Sequence, residues 1–392
     1  MDALGRPHRA THRRLSRLEL AACLTLGVIG VYSTSFGPAM GTLAEDFGVS
    51  LDRAGVLLTV AFLGGIAASG GVALRLHRVE PRLFTGGGLL LLALGMAGLG
   101  FANSWALALG SLAFAGIGGG LMDAGSHTIV ARVSEDVTRG INRLNVCFAV
   151  GAIVGPLLSG SVLAANANGR WIVYGCVALL AAAGAVLMLA TPPGDGYGAE
   201  ATGSGDGQSE HAGMSRLAWL MGAVLFLYVG AEFGLGSWVA SYTDAEFDAG
   251  TFAGGVITAA YWGSLMCGRL ISGALFAHAV PARRVLLVSI AAGLVTSAGI
   301  AAANEVFVLA VAAACLTGLA FGPVWPAAMA IATTGRSRSA PAALVTIGNS
   351  GGLVFPYLQG RLLVSQGAAT GIALSAVLCA GMLLLVWRAK AE

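Results

Sequence analysis

Twelve apolar stretches, each long enough to cross a bilayer, follow one another from Leu18 to Trp387. A hydrocarbon core about 30 Å thick needs about 20 helical residues to span it, with every backbone polar group satisfied inside the segment. The stretches predict helices at 18–43, 54–76, 83–102, 104–131, 141–165, 171–190, 217–242, 251–276, 284–303, 305–332, 340–363 and 368–387. A chain that is 56% hydrophobic and only 10% charged, with 59 glycines in 392 residues, has too little polar surface to clothe a water-soluble core. The fold class read from this is an all-α membrane protein with twelve transmembrane helices.

The net charge of +3 conceals a sharp partition. With the N-terminus assigned to the cytoplasm, Arg6, Arg9, Arg13, Arg14, Arg17, Arg75, Arg78, Arg82, Arg132, Arg139, Arg143, Arg216, Arg269, Arg283, Arg284, Arg336, Arg338, Arg388 and Lys390 fall on the cytoplasmic side. Only Arg53, Arg170 and Arg361 fall outside, where most of the acidic loop residues (Glu45, Asp46, Asp52, Asp244, Glu246, Asp248, Glu305) also sit. This is the positive-inside pattern, and it puts both termini in the cytoplasm. Beside a first span, the basic tail reads as a topology anchor and not as a nucleic-acid arm. The excess of Arg over Lys fits a GC-rich genome, hence a bacterial plasma (inner) membrane. The six cysteines lie inside predicted spans without metal-ligand spacing, so no metal, cofactor or disulfide is expected.

Residues 191–216 interrupt the apolar rhythm with a Gly- and Ser-rich, acidic stretch that describes a solvated linker. The expected organisation is a basic N-terminus at 1–17, a six-helix bundle at 18–190, the linker at 191–216, a second six-helix bundle at 217–387 and a tail at 388–392. At an offset of 200, Phe47, Gly55, Pro81, Gly118, Gly151, Pro156 and Gly160 repeat as Phe247, Gly255, Pro281, Gly318, Gly351, Pro356 and Gly360. Glycine admits close helix approach, and proline frees a carbonyl and bends a span. Seven ordered coincidences at such residues imply two copies of one unit in the same orientation. This resembles the major facilitator architecture, where substrate binds between pseudo-symmetric halves near the midplane. No selectivity-filter motif of a channel is visible.

An ionisable side chain at the bilayer centre costs about 2.5–3.5 kcal/mol on insertion scales and is a functional hypothesis by default. Asp123 and His127 lie one turn apart on the fourth span, and Glu232 lies in the middle of the seventh. A carboxylate in low dielectric holds or releases a proton according to its neighbours, and imidazole changes charge near neutral pH. These three are the candidate proton-coupling groups, although an Asp–His hydrogen-bonded pair can also simply fasten helices. Glu19, at the edge of the first span, reads as a snorkelling group or a partner of Arg17. Tyr32, Asn142, Asn145, Trp238, Tyr261, Trp262, Trp325 and Asn349 are candidates for binding a hydroxylated substrate through amides, hydroxyls and flat rings. Their ordinary alternatives are helix–helix hydrogen bonds, packing and the interfacial aromatic belt. The glycine clusters lie inside helices, and no nucleotide-binding lysine loop occurs, so neither an enzyme nor ATP-driven transport is indicated.

Three stretches carry a more specific resemblance. Span four reads Gly118-Gly119-Gly120-Leu121-Met122-Asp123 with His127 a turn later; span five reads Leu144-Asn145 through Gly155-Pro156; span seven reads Tyr228-Val229-Gly230-Ala231-Glu232 followed by Gly236-Ser237-Trp238. With Tyr261-Trp262-Gly263 and Gly268-Arg269-Leu270 of span eight, the chain is similar to the fucose permease-like branch of the major facilitators, the fucose–galactose–glucose:proton symporters. That resemblance implies inward symport of a monosaccharide with a proton and a coupling role for Asp123. His127 stands where the family usually has Asn, span one carries Tyr32, Ser33 and Ser35 and no acid at the depth where fucose permease has one, and Gly71 through Arg75 lacks the superfamily's loop Asp. The expected partners are a small-molecule substrate, a proton or sodium as coupling ion and the lipid bilayer, with the protein a monomer. The competing reading is a major facilitator exporter of amphipathic drugs, lipids or metabolites.

Overall fold

The computed structural model describes residues 16–74, 79–166, 168–192, 214–303, 306–333 and 340–389. Arg6 to Arg14, Arg75, Arg78, Glu305, Arg336, Arg338, Lys390 and most of the expected linker lie outside the described residues. Among those described, fifteen helices and no strand are present. Helices α1 (Arg17–Thr34) and α2 (Phe36–Asp46) make the first span, and α3 (Leu51–Ala54) with α4 (Val56–Leu74) the second. Spans three to nine are α5 (Pro81–Gly100), α6 (Trp105–Val133), α7 (Val137–Ala165), α8 (Arg170–Ala190), α9 (Arg216–Phe247), α10 (Gly250–Ala277) and α11 (Ala282–Ala301). The tenth is α12 (Phe307–Phe321) with α13 (Val324–Ala332), followed by α14 (Ala340–Gln366) and α15 (Ala368–Arg388). Ten spans are long and apolar enough to cross a membrane, and α10 and α14, with 28 and 27 residues, complete the twelve.

Local chemistry explains most boundaries. Ser16, Ser104, Asp136 and Ser215 each accept a backbone N–H three residues on, and so cap α1, α6, α7 and α9. The first span is one apolar run in sequence but bends at Ser35, because Pro38 has no N–H to continue the ladder. Pro323 divides the tenth span in the same way. Pro156 stays inside α7, where its missing donor orphans the carbonyl of Ala152; the Thr34 hydroxyl donates to that oxygen at 3.1 Å. Gly367 has φ 98°, a left-handed conformation that lets a single residue reverse the chain between α14 and α15.

Helices α1 to α8 pack with one another, as do α9 to α15, and the two groups meet through α7 with α10, α4 and α3 with α14, and α2 with α9 and α10. Each bundle has a terminal face, where the chain enters α1 and leaves α15, and a distal face, where the 47–50, 168–169, 248–249 and 367 turns lie. The repeat is visible in backbone contacts. Gly116 and Gly120 of α6 lie on the backbone of Ala61 and Gly65, while Gly318 and Gly322 of the tenth span lie on Tyr261 and Leu265. The partners are offset by 200, but the tenth span itself is offset by 202, because the connection before it is longer: α6 starts at 105 and α12 at 307. The pairing of Gly118 with Gly318 is therefore corrected. Gly118 packs on Gly88 of α5 and has a different neighbour helix, so Gly318 matches Gly116 and Asp123 matches Trp325.

Glu19 is tied not to Arg17 but to Arg143 of α7, with Nη1 2.8 Å from Oε1. The acid is almost fully buried and its partner about half exposed. Removing the base leaves a buried charge without a partner, which costs more than removing both. Arg143→Leu is expected to destabilise the detergent-solubilised protein by about 1–3 kcal/mol. The double variant Glu19→Gln/Arg143→Gln should recover most of that loss in a thermal-unfolding series.

Candidate functional site

Two pseudo-equivalent seams join the bundles near the distal face. In one, Gly160 of α7 meets Gly255 of α10 so closely that a Cβ on Gly160 would lie 2.8 Å from the Gly255 Cα. In the other, the symmetry-related Gly55 and Gly360 do not touch each other directly; the indole of Trp238 covers both. Trp238 is fully buried, and its N–H donates to the carbonyl of Pro356 at 2.7 Å. Around this plug, Thr59 donates to the carbonyl of Leu353 at 2.9 Å, and Asp52 pairs with Arg361 at 3.2 Å. Gly37 sits against the carbonyl of Gly236.

The seams part toward the terminal face. Gly273 shares a face of α10 with Gly255, five turns further on, yet has nothing within 4 Å of its Cβ position. Gly70 and Gly71, past Thr59 on α4, are equally open. Asn142, eighteen residues before Gly160 on the same face of α7, is exposed. The bundles therefore form a V, closed at the distal end and opening a cleft to the terminal face.

Asp123 and His127 stand in that cleft. Nine residues, or two and a half turns, separate Asp123 from Phe114, which is 55% exposed on the outer surface of α6. Asp123 therefore points away from that surface, into the sector between the α1 contact at Gly119 and the α4 contact at Gly120. Its side chain is 44% exposed and that of His127 41%, inside a helix that spans the membrane. Imidazole Nδ1 lies 2.9 Å from the Asp123 carbonyl and 3.5 Å from its carboxylate, so the ring is held by backbone and the carboxylate remains open to the cleft.

The opposite wall is built differently. Glu232, midway along α9, is 3% exposed and forms an ion pair with Arg269 of α10 at 2.9 Å. Arg269, placed among the cytoplasmic charges on sequence grounds, thus belongs to the membrane interior. The Tyr261 hydroxyl donates to the Glu232 carbonyl at 2.9 Å, fixing α10 on α9 at the same level. The buried Tyr228 hydroxyl lies beside the pair, and its ring is 6.4 Å from that of the half-buried Trp325.

Phe62, Phe233 and Trp262 form a contiguous aromatic layer across the bundles, with ring centroids 5.0 and 5.3 Å apart, and it closes the cleft beneath the distal seams. Trp262 is buried and its indole N–H has no hydrogen-bond partner. Tyr32 is buried against Gly119 with its hydroxyl also unpaired, whereas Asn145 and Asn349 are half-buried on α7 and α14. The structure thus gathers Glu232, Tyr261, Trp262 and Trp325 in one wall, sets Asp123, His127, Tyr32 and Asn145 in the other, and places Trp238 in the distal seam above both. Sequence reasoning missed Arg269, Tyr228, Phe62 and Phe233. Arg269 had a usable signal, since it lies seven residues inside the predicted end of span eight. The described residues contain no cluster of His, Cys, Asp and Glu that would hold a metal ion.

The profile of the Major Facilitator Superfamily matches residues 22–356. The chain belongs to that superfamily. Its fold is shared with a bacterial homolog of the human lysosomal transporter Spinster in an inward-facing and occupied conformation (TM-score 0.78, 14% identity, 95% of this chain and 96% of that one). It is also shared with a D-xylose–proton symporter (0.77, 12%, 95% and 97%) and the nucleoside transporter NupG (0.71, 12%, 96% and 98%). No curated protein matches the chain in sequence. This major facilitator transporter is a multi-pass membrane protein, with its two bundles apart on one face.

The distal plug gives a direct test. Trp238→Phe removes the buried N–H donor and the part of the indole that covers Gly55 and Gly360, a loss of about 1–3 kcal/mol. Spin labels at Asn168→Cys and Ala249→Cys, which report the separation of the bundles across the distal face, should show a several-fold larger population of long distances in that variant.

Proposed function

We propose that this transporter takes up a sugar or other small hydroxylated solute in symport with protons, by rocking its two bundles about the cleft. The observation that carries the reading is Asp123 with His127, accessible in the cleft although they sit on a membrane span. Asp123 takes a proton from one side and releases it to the other as the seams alternate. Tyr32, Asn142, Asn145 and Asn349 supply donors and acceptors for hydroxyls, and Trp262 and Trp325 supply flat faces, whereas Tyr261, expected on sequence grounds to bind substrate, is fully buried and instead ties α10 to α9. Trp238 acts at a distance, by closing the roof.

Under the positive-inside rule both termini are cytoplasmic, so the terminal face is cytoplasmic and the conformation is open to the cell interior. We further propose the division expected from the sequence, a basic N-terminus, two six-helix bundles and an intervening linker, in the inner membrane of a bacterium, with one chain making a complete pathway as a monomer. The resemblance to the fucose permease-like branch supports a monosaccharide-sized solute, and one of the fold neighbours is a D-xylose–proton symporter. The aromatic roof of Phe62, Phe233 and Trp262 favours a second reading, export of an amphipathic compound.

In liposomes of the purified protein with a pH dye inside, Asp123→Asn is expected to reduce proton-driven uphill uptake at least a hundredfold. Counterflow exchange should stay within about threefold of wild type. Unchanged accumulation by the variant would remove Asp123 from coupling. Proton release stimulated by cationic drugs, without any polyol-induced flux, would favour the exporter.

A further inference from the structure

The interior of the C-terminal bundle joins one acid, Glu232, to one base, Arg269, and the two are not equally covered. The Glu232 side chain is 3% exposed, sealed among α9, α10 and the Tyr228 and Tyr261 rings, while the Arg269 side chain is 24% exposed on the α10 face that carries Trp262 and Gly273. A guanidinium carries five N–H donors, and the one hydrogen bond made by Arg269 uses a single nitrogen, Nη2 to Oε1 of Glu232. Beside it the Tyr228 hydroxyl, fully buried, does not reach hydrogen-bond geometry with any group. Arg269 lies seven residues, about 10 Å, from Trp262 toward the terminal face, and one turn before Gly273, whose surroundings are open. The base is thus set between the aromatic roof and the mouth, with its unused donors toward the cleft.

A fully enclosed ion pair contributes little net stability over apolar packing, so a merely structural pair has no need to leave its base at the cleft. A planar fork of donors with a tyrosine hydroxyl alongside is suited to two oxygens of a carboxylate. We propose that Arg269 is the anion-recognising group of the transport cavity and that the solute is a hydroxylated carboxylate, of the sugar-acid type. This deepens the transport reading above and rests on it.

The charges balance in each step. Before binding, Arg269 is neutralised by Glu232. The incoming carboxylate takes the place of the Glu232 oxygens on the guanidinium, and Glu232 accepts one proton, so the interior keeps zero net charge. Release to the terminal face returns Glu232 to Arg269 and sends that proton out with the solute. The titratable groups facing Glu232 are Arg269 and Tyr261 from α10 and Tyr228 on its own helix, and none of these changes charge near neutral pH in ordinary surroundings. The polyol chain then extends under Trp262 toward Asp123, whose own proton supplies the drive.

The test uses the full chain in liposomes containing a pH dye, with matched pairs that differ only at the carboxylate: gluconate against sorbitol, galactonate against galactitol, glycerate against glycerol. At least one acid should drive internal acidification ten or more times faster than its neutral partner. Arg269→Gln should weaken binding of that acid by about tenfold to hundredfold, the range for a charge-assisted hydrogen bond. Glu232→Gln should keep acid exchange while lowering proton entry per acid from two to one, the Asp123 proton remaining. Because a single change leaves a buried charge, Arg269→Gln/Glu232→Gln serves as the folded control, and retained acid binding in it overturns the proposal. Proton-coupled uptake of the neutral polyols, unaffected by Arg269→Gln, overturns the anion site and leaves the hydroxylated-solute reading intact. Absence of flux with all six compounds, in protein that is monodisperse, removes both.

Discussion

The contact of Gly160 with Gly255 determines much of this molecule's form. Two helices from opposite bundles can lie backbone to backbone only where neither carries a side chain, and the chain has that arrangement at the distal end of one seam. The second seam has the same pair of glycines, Gly55 and Gly360, but there an indole has been inserted between them. One end of the bundle interface is therefore dry and tight, and the other end is free to hold water. The exposure of Asp123 and the partial exposure of Arg269 both follow from that single geometric fact.

Within each bundle the same economy recurs. Gly116 and Gly120 seat α6 on α4, and Gly318 and Gly322 seat the tenth span on α10, with partner residues 200 positions apart. Such backbone-to-backbone rows hold the helices of each bundle at close, side-chain-free contact. The membrane interior offers no water to a broken ladder, and at Pro156 the chain answers locally: Thr34 covers the carbonyl that the proline leaves open.

The overall architecture was legible because spans and repeats are written in period and length. The offset of 200 and the depth of Glu232 needed only the bilayer thickness and the positions of glycine and proline. What escaped the sequence depended on partners. Arg269 reads as a loop charge under a rule that counts basic residues near helix ends, and only the opposing Glu232 shows why it is retained inside. The shift to an offset of 202 in the tenth span comes from a longer connection, which a fixed-offset comparison cannot follow. Trp238 and Trp262 looked alike in sequence as aromatic residues on neighbouring spans. Their difference, one donor bound to Pro356 and the other unpaired, exists only in three dimensions.

Matching Asp123 with Trp325 gives the duplicated halves different chemical vocabularies at the same address. A carboxylate and an indole, carried by pseudo-twofold-related helices, give the two halves unlike surfaces at one level, so the twofold of the scaffold is lost at its centre.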